Sequence, residues 1–275
     1  MKKTALVESG GGMAACYIAG ATYAISKNFN SFKPDMVIGG SGSTGTLSYY
    51  VAGQTESIKN IWLNLLCNKK FINPFRFWRV IDIDYLIDVV FKKEDTLAEE
   101  NIYQSNIEYL ISTTNHKTRK LEYFSNKKKE NVFESMRASM AMPVAFNKYI
   151  RINHKEYCDT IVSASVKLNI EQALKLGAEK IIVVSVDDLH TSKFTDFFYN
   201  MWLKVQSKKF LKNYQKEEAE TYVIPENVKI LRIEPRKKLS IGTLGNTREL
   251  LARTFAHGYR DVLRNELLRE FLLSD

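Results

Sequence analysis

"MVIGGSGSTGTL", Met36 to Leu47, passes from three apolar residues straight into glycines and small hydroxyl residues. An apolar run that stops at a glycine cluster predicts a strand ending in a tight turn, and the residues after it, Ser43–Ala52, have helical spacing. Strand, turn and helix in this order serve three chemistries. Gly40, Gly42 and Gly45 have the dinucleotide-binding spacing G-x-G-x-x-G, the cluster loosely matches a phosphate-cradling P-loop, and Gly39-Gly40-Ser41 can open a nucleophile elbow. The dinucleotide reading needs an acidic residue at the end of a second strand about twenty residues further on. The next residues, "YYVAGQTESIKNIWLNLL", have a helical pattern and no such strand. A P-loop needs a lysine before its last Ser or Thr, yet Gly45 is followed directly by Thr46. The elbow keeps its context: a serine between strand and helix sits where the helix dipole and free amides favour an alkoxide. A plain glycine-serine turn would use the same letters.

A second segment, "VESGGGMAACYIAGATYAI", repeats the arrangement, with Gly10-Gly11-Gly12 between an expected strand and a helix over Met13–Ser26. Three glycines in a row give a backbone able to aim several N–H groups at one point, which suits an oxyanion hole; a flexible turn is the simpler account.

Further strands are expected at Thr4–Glu8, Glu108–Ser112, Tyr149–Ile152, Lys180–Val186 and Val228–Ile233. "KIIVVSV", Lys180–Val186, is nearly continuous in β-branched residues, as in a strand covered on both faces. Helical patterns occupy Thr55–Leu66, Asn131–Met140, Val166–Leu176, Phe194–Tyr214 and Thr247–Leu273; Thr96 and Glu99 can form a capping box, and Gly177 stands where a helix would end. Alternating strands and helices predict an α/β fold, a mainly parallel sheet with helices on both faces. No repeat or linker divides the 275 residues, so one domain is expected.

Four blocks, "SGGGMAACYIAG", "DMVIGGSGSTGTLSYYVAGQ", "SMRASMAMPVAF" and "YCDTIVSASVKLNIEQALKLGAEKIIVV", occur in this order. Together they resemble the blocks of the patatin-like phospholipases, particularly the bacterial members, from Ala5 to about Val184, with a weaker echo in "FAHGYRD". The resemblance implies a patatin-like three-layer α/β/α domain over 1–275, with a C-terminal helical segment at about 247–273 packed on it. It implies a serine lipid acyl hydrolase, of phospholipase A or lysophospholipase type, with a Ser-Asp dyad and no metal or organic cofactor. Ser41 takes the place of the nucleophile, Asp159 that of the base, and Gly10, Gly11 and Gly12 that of the oxyanion hole.

Three positions depart from the family pattern. Ser43 stands for the second glycine of G-x-S-x-G, Ala14 and Ala15 for the Arg-Gly of G-G-G-M-R-G, and Thr160-Ile161 for the glycines of D-G-G. Ser43 is the alternative nucleophile, since Gly45 lies two residues after it; Ser41 matches the family serine without a gap. The departures also favour a rival reading, a catalytically silent relative that binds lipid or a protein partner.

Composition bounds the partners. Hydrophobic residues are 45% and charged residues 26%, as in ordinary globular proteins, whereas the net charge of +9 is high. Lys69, Lys70, Arg76 and Arg79 are interleaved with Phe71, Phe75, Phe77 and Trp78, and "FTDFFYNMWLKVQSKKFLKNY" mixes the same types at helical spacing. Such stretches suit peripheral contact with an anionic membrane surface as well as a packed helix with a solvated basic face. No nucleic-acid module is recognisable, so nucleic acid is not an expected partner. The expected substrate is a phospholipid or other acyl lipid. Cys16, Cys67 and Cys158 form no C-x-x-C pair, and no signal peptide or apolar span is visible, so a cytoplasmic location is expected. Among the histidines, His116, His154, His190 and His257, none has a metal-ligand spacing, and His154 in "INHKEY" reads as a hairpin turn.

Overall fold

The structure is a computed structural model and describes residues 2–76, 79–143, 145–160, 166–186 and 223–273. The helix expected over 194–214 lies outside the described residues.

Among the described residues eight strands form one sheet: β1 (Thr4–Glu8), β2 (Met36–Gly40), β3 (Glu108–Asn115), β4 (Leu121–Ser125), β5 (Ile150–Ile152), β6 (Lys155–Cys158), β7 (Lys180–Val184) and β8 (Lys229–Ile233). Their order is β5-β6-β3-β2-β1-β7-β8, with β4 also paired to β3. The strands from β3 to β8 in that order run parallel, while β4, β5 and β6 add an antiparallel arm. Alternate residues of the parallel strands enter opposite cores. Leu6, Val37 and Ile182 join the larger one, whereas Val7, Ile38 and Val183 join the smaller. Both faces are therefore covered, which explains why these strands read as unbroken apolar runs. The architecture is the expected three-layer α/β/α, with a mainly parallel central sheet.

The larger core is roofed by α1 (Ala15–Asn28, entered through a 3-10 turn at Gly12–Ala14), α2 (Ser43–Val51) and α3 (Thr55–Asn60). Helix α3 widens into a π-helix at Ile61–Leu65; α4 (Ile83–Tyr85) likewise continues as a π-helix at Leu86–Glu94. Then come α5 (Glu99–Gln104), α6 (Val132–Met140) and α7 (Val166–Lys175), followed by α8 (Arg248–Leu263) and α9 (Glu266–Leu273). The smaller core rests on α7 through Val166, Ile170 and Ala173, one face of a helix.

Some local expectations hold. Gly177 has φ 85° and its N–H bonds to the carbonyl of Leu174, closing α7. Asn153 and His154, both with positive φ, form the two-residue turn between β5 and β6. Others are corrected. The capping box at Thr96 and Glu99 does not form; α5 starts at Glu99 without a side-chain cap, and Gln54 instead accepts from the Ala98 N–H (2.8 Å) and donates to the Thr96 carbonyl (2.9 Å). The helix expected over 247–273 is two helices, because Asn265 Oδ1 accepts from the Leu268 N–H at 3.1 Å and opens a new helix.

Helices α1 and α8 cross with their backbones in contact. A Cβ built on Gly20 would lie 2.0 Å from the Phe255 carbonyl oxygen, and one on Gly258 would lie 2.0 Å from that of Tyr17. Around this crossing the Cys16 thiol meets the Leu251 carbonyl (3.3 Å), and the Tyr17 hydroxyl donates to Asp261 (2.7 Å). Neither glycine can gain a methyl without parting the helices. Gly20→Ala and Gly258→Ala should each destabilise the protein by roughly 2 kcal/mol or more, at the upper end of overpacking costs. A urea midpoint unchanged in both variants would show that the helices have room to spare.

Candidate active site

The two glycine turns emerge side by side because β1 and β2 are parallel neighbours. At the end of β2 the chain turns through Ser41, whose φ is +54°, and enters α2. This is the left-handed region, unusual for a residue with a side chain and typical of a strained strand-to-helix elbow. Flanking glycines make the turn feasible. A Cβ at Gly42 would lie 2.7 Å from the Gly12 carbonyl oxygen, and one at Gly40 would lie 2.3 Å from the Thr160 methyl. On the other side, Gly11 (φ 128°) and Gly12 (φ 55°) adopt conformations favouring glycine, and Gly10 lies against the Ser41 Cβ. The glycine loop and the serine turn thus touch backbone to backbone.

The Ser41 hydroxyl donates to Asp159 Oδ2 at 3.0 Å, across 118 residues of sequence. Both are nearly enclosed, with exposures of 5% and 1%. Asp159 is fixed through its own backbone: its N–H donates to the Ala141 carbonyl (3.0 Å), and its carbonyl accepts from the Thr114 hydroxyl (2.8 Å). The elbow is fixed from below. The Ser41 N–H donates to Ser139 Oγ (2.8 Å), whose hydroxyl in turn donates to the Ser112 carbonyl (2.7 Å). Ser139 and Ser112 carried no signal in the sequence; only their places on α6 and β3, beside the end of β2, bring them here.

Ser43 lies elsewhere. Its hydroxyl, fully buried, donates to the Gly40 carbonyl at 3.0 Å within the same turn. Thr160 places its methyl over Gly40 and donates to Ser112 Oγ at 3.0 Å, so the space of a glycine is used for packing and a hydrogen bond. Cys158 is buried, and burial beside the Asp159 charge pushes its thiol up to about 12. It therefore stays protonated. His116 stacks on Tyr149, His154 is exposed in its turn and His257 pairs with Asp261; none of the three lines the site, and His190 lies outside the described residues. Among the described residues no three His, Cys, Asp or Glu side chains gather to hold a metal ion.

Ser41, Asp159 and Gly12 line one cavity whose remaining walls are almost wholly apolar. One wall is α2; facing it stand Trp62, Ile83, Leu86 and Phe91 from the two π-helical regions. An ionic knot around the buried Arg137 clamps this second wall. Arg137 on α6 pairs with Asp84, Asp88 (2.8 Å) and Glu134 (3.2 Å), while Arg79 and Lys148 also reach Asp84 (3.3 and 2.8 Å).

One buried group near the site takes no part in this geometry. Glu8, the last residue of β1, accepts a hydrogen bond from the Thr22 hydroxyl through Oε1, and its Oε2 has no partner among the described residues. Full burial pushes its pKa up to about 8, from an ordinary 4.5. Between these two values the folded protein keeps a proton that the unfolded chain releases, so stability falls as pH rises, by about 1.4 kcal/mol per pH unit. Glu8→Gln should remove that slope and leave a flatter stability curve from pH about 4.5 to about 8, read by urea denaturation across pH. A slope identical to the parent's would mean that Glu8 is ionised in the fold.

The chain matches the family model of the patatin-like phospholipases over residues 6–173, more than half of its length. It is 24% identical over 262 residues to the uncharacterized protein YjjU of Escherichia coli strain K12, a match covering 89% of this chain and 71% of that protein. VipD from Legionella pneumophila has a similar structure, with a TM-score of 0.56 at 13% identity over 98% of this chain and 67% of that one. Human GIVD cytosolic phospholipase A2, solved with methyl gamma-linolenyl fluorophosphonate inhibitor and terbium chloride, gives a TM-score of 0.50 at 10% identity over 98% of this chain; the match spans 59% of the human chain. These structural likenesses concern the fold, a mixed α/β domain on a mostly parallel sheet. With the family model matched across its first three blocks and into the fourth, this chain belongs to the patatin-like phospholipase family.

Proposed function

We propose that this protein is a serine lipid acyl hydrolase in which Ser41 is the nucleophile, Asp159 its base, and the amides of Gly10, Gly11 and Gly12 the oxyanion hole. The observation that carries this reading is the 3.0 Å bond from the Ser41 hydroxyl to Asp159 on the wall of an apolar cavity. As Ser41 Oγ attacks an ester carbonyl, its proton passes to Asp159, and the carbonyl oxygen becomes an oxyanion beside the glycine loop. Collapse expels the alcohol, which takes the proton back and leaves an acyl group on Ser41. Water, deprotonated by Asp159, then releases the acid. The apolar walls suit a hydrocarbon chain, and the reaction needs neither metal nor organic cofactor.

Ser43 is the weaker candidate, because its hydroxyl is spent on the Gly40 carbonyl and it does not line the cavity. Against the silent reading stands the way the described altered residues fit: Ser43 and Thr160 make their own hydrogen bonds, and Ala14 and Ala15 are packed without exposure at the start of α1. The three cysteines are free, as a reducing, cytoplasmic compartment would leave them. Since the human phospholipase was captured with a fluorophosphonate, such a probe is the natural test. Label should map to Ser41. Ser41→Ala should abolish esterase activity, and Asp159→Asn should lower kcat by on the order of a hundredfold or more with the fold retained. Labelling of Ser43, or parental turnover in Asp159→Asn, would overturn the assignment.

No helix among the described residues is long and apolar enough to cross a membrane. The loop that joins the two π-helical regions lines the cavity with Phe71, Ile72 and Ile81 and presents Phe75, 79% exposed, near the exposed Lys69 and Lys70, while Arg76 is spent within the loop on Asp82 (3.1 Å) and the Lys70 and Phe71 carbonyls. Trp78, grouped with Phe75 in the sequence, lies outside the described residues. This loop docks on anionic lipid, each basic residue near the surface contributing roughly 1 kcal/mol. In vesicle co-sedimentation, binding should need anionic lipid, weaken as salt is raised and fall in Phe75→Ser. Equal binding to neutral and anionic vesicles would sink the electrostatic part, and no binding would sink the whole.

A further inference from the structure

Cavity-lining positions on α2 fall at Ser41, Gly42, Gly45, Thr46 and Tyr49, a stripe running down one face of the helix and its N-terminal turn. The stripe is met twice by aromatic rings. Phe91 stands on Gly45: a Cβ there would lie 2.8 Å from the ring's Cζ, and the ring meets Tyr49 edge-on with centroids 5.4 Å apart. Trp62 is held one residue along, its indole N–H donating to Thr46 Oγ1 at 3.0 Å. Each ring comes from a π-helical stretch, Phe91 from Leu86–Glu94 and Trp62 from Ile61–Leu65. The wider π turn is uncommon and tends to occur at functional positions. Here both instances deliver a ring to the same stripe.

Depth is set by helix geometry. Gly45 lies in the first turn of α2, just past the Ser41 elbow, and Phe91 stands over the stripe at that level. The free space is small to match, about 60 Å³. Below the ring, Tyr49 still belongs to the cavity wall, so removing the ring would lengthen the space rather than open it to solvent.

We propose that Phe91, seated on Gly45 and backed by Trp62 on Thr46, is the floor of an acyl-chain pocket and restricts the enzyme to esters of short acyl chains. The inference rests on the reading of Ser41 as nucleophile. Phe91 touches the end of the chain, not the reacting atoms, so it sets specificity. Glycine at position 45 is part of the device, because any side chain there would displace the ring.

The test compares kcat/KM for the butanoyl and dodecanoyl esters of p-nitrophenol in the parent, Phe91→Ala and Phe91→Leu, with labelling of each protein by a short-chain fluorophosphonate. The parent should favour butanoyl over dodecanoyl by roughly tenfold or more. Each methylene newly accommodated is worth roughly fourfold, so Phe91→Ala should raise the dodecanoyl-to-butanoyl ratio by on the order of tenfold or more. Phe91→Leu should shift it the same way by less, and carries the test if the alanine variant does not fold. An unchanged ratio in folded variants, or a parent that prefers dodecanoyl, would overturn the floor while leaving Ser41 in place. Absence of both labelling and turnover in the folded parent would overturn the reading of Ser41 and the floor with it.

Discussion

The left-handed φ of Ser41 is the constraint on which the neighbourhood of the site depends. A non-glycine residue in this region costs on the order of 1–2 kcal/mol, and it persists only where the surroundings over-determine it. Here they do so from three directions. The glycine loop lies against one side of the turn, Thr160 packs over Gly40, and Ser139 holds the Ser41 amide from α6. Because Ser139 is bound in turn to the Ser112 carbonyl of β3, the turn is anchored to the sheet as well as to the helix. The same α6 carries Arg137, whose carboxylate partners belong to the cavity wall opposite α2. Elbow and wall are thus referred to one rigid element, and a shift of α6 would be felt at both.

The positions that depart from the family pattern become intelligible in this light. A glycine after the aspartate leaves empty space and a free backbone; Thr160 fills the space and spends its hydroxyl on Ser112, whose own hydroxyl donates to the Gly39 carbonyl. Thr160 is not among the described residues with positive φ, so its β-branched side chain is carried without backbone strain. Ser43 likewise satisfies the Gly40 carbonyl inside the turn. At these two positions the side chain that replaces a glycine finds a hydrogen-bond partner inside the site's own framework, Gly40 for Ser43 and Ser112 for Thr160.

The central strands and both glycine turns were legible because their signals are local: unbroken apolar runs for strands covered on two faces, and glycines where strand meets helix. Ser41 and Asp159 could be named, though their meeting across 118 residues is a product of strand order. What stayed hidden was set by tertiary contact. β4 ("LEYFS") and β6 ("KEYC") are short and charged, and become strands by adding to β3. The π-helix at Leu86–Glu94 has no letter code, since i→i+5 bonding depends on where its side chains pack. The approach to α5 is held by Gln54, which binds Thr96 and Ala98 from 42 and 44 residues away, a partner that no local motif can announce. Ser139 and Ser112 read as ordinary small residues until the sheet brings them beneath the elbow.

The crossing of α1 and α8 has a consequence for how the protein comes into being. Helix α1 leaves directly from the glycine loop, yet its closest neighbour arrives 235 residues later, where Cys16 meets Leu251. At translation rates of about 5–20 residues per second, the ribosome adds this much chain over roughly 10–50 s. Through that interval the larger core lacks its cover, and the loop beside Ser41 lacks the partner that steadies the helix behind it. Closing contacts so distant is also slow in itself, because loop entropy must be overcome before the packing rewards it. Until α8 has been made, the nascent chain therefore lacks the packing behind the glycine loop, and the Ser41 turn gains that support only when α8 docks.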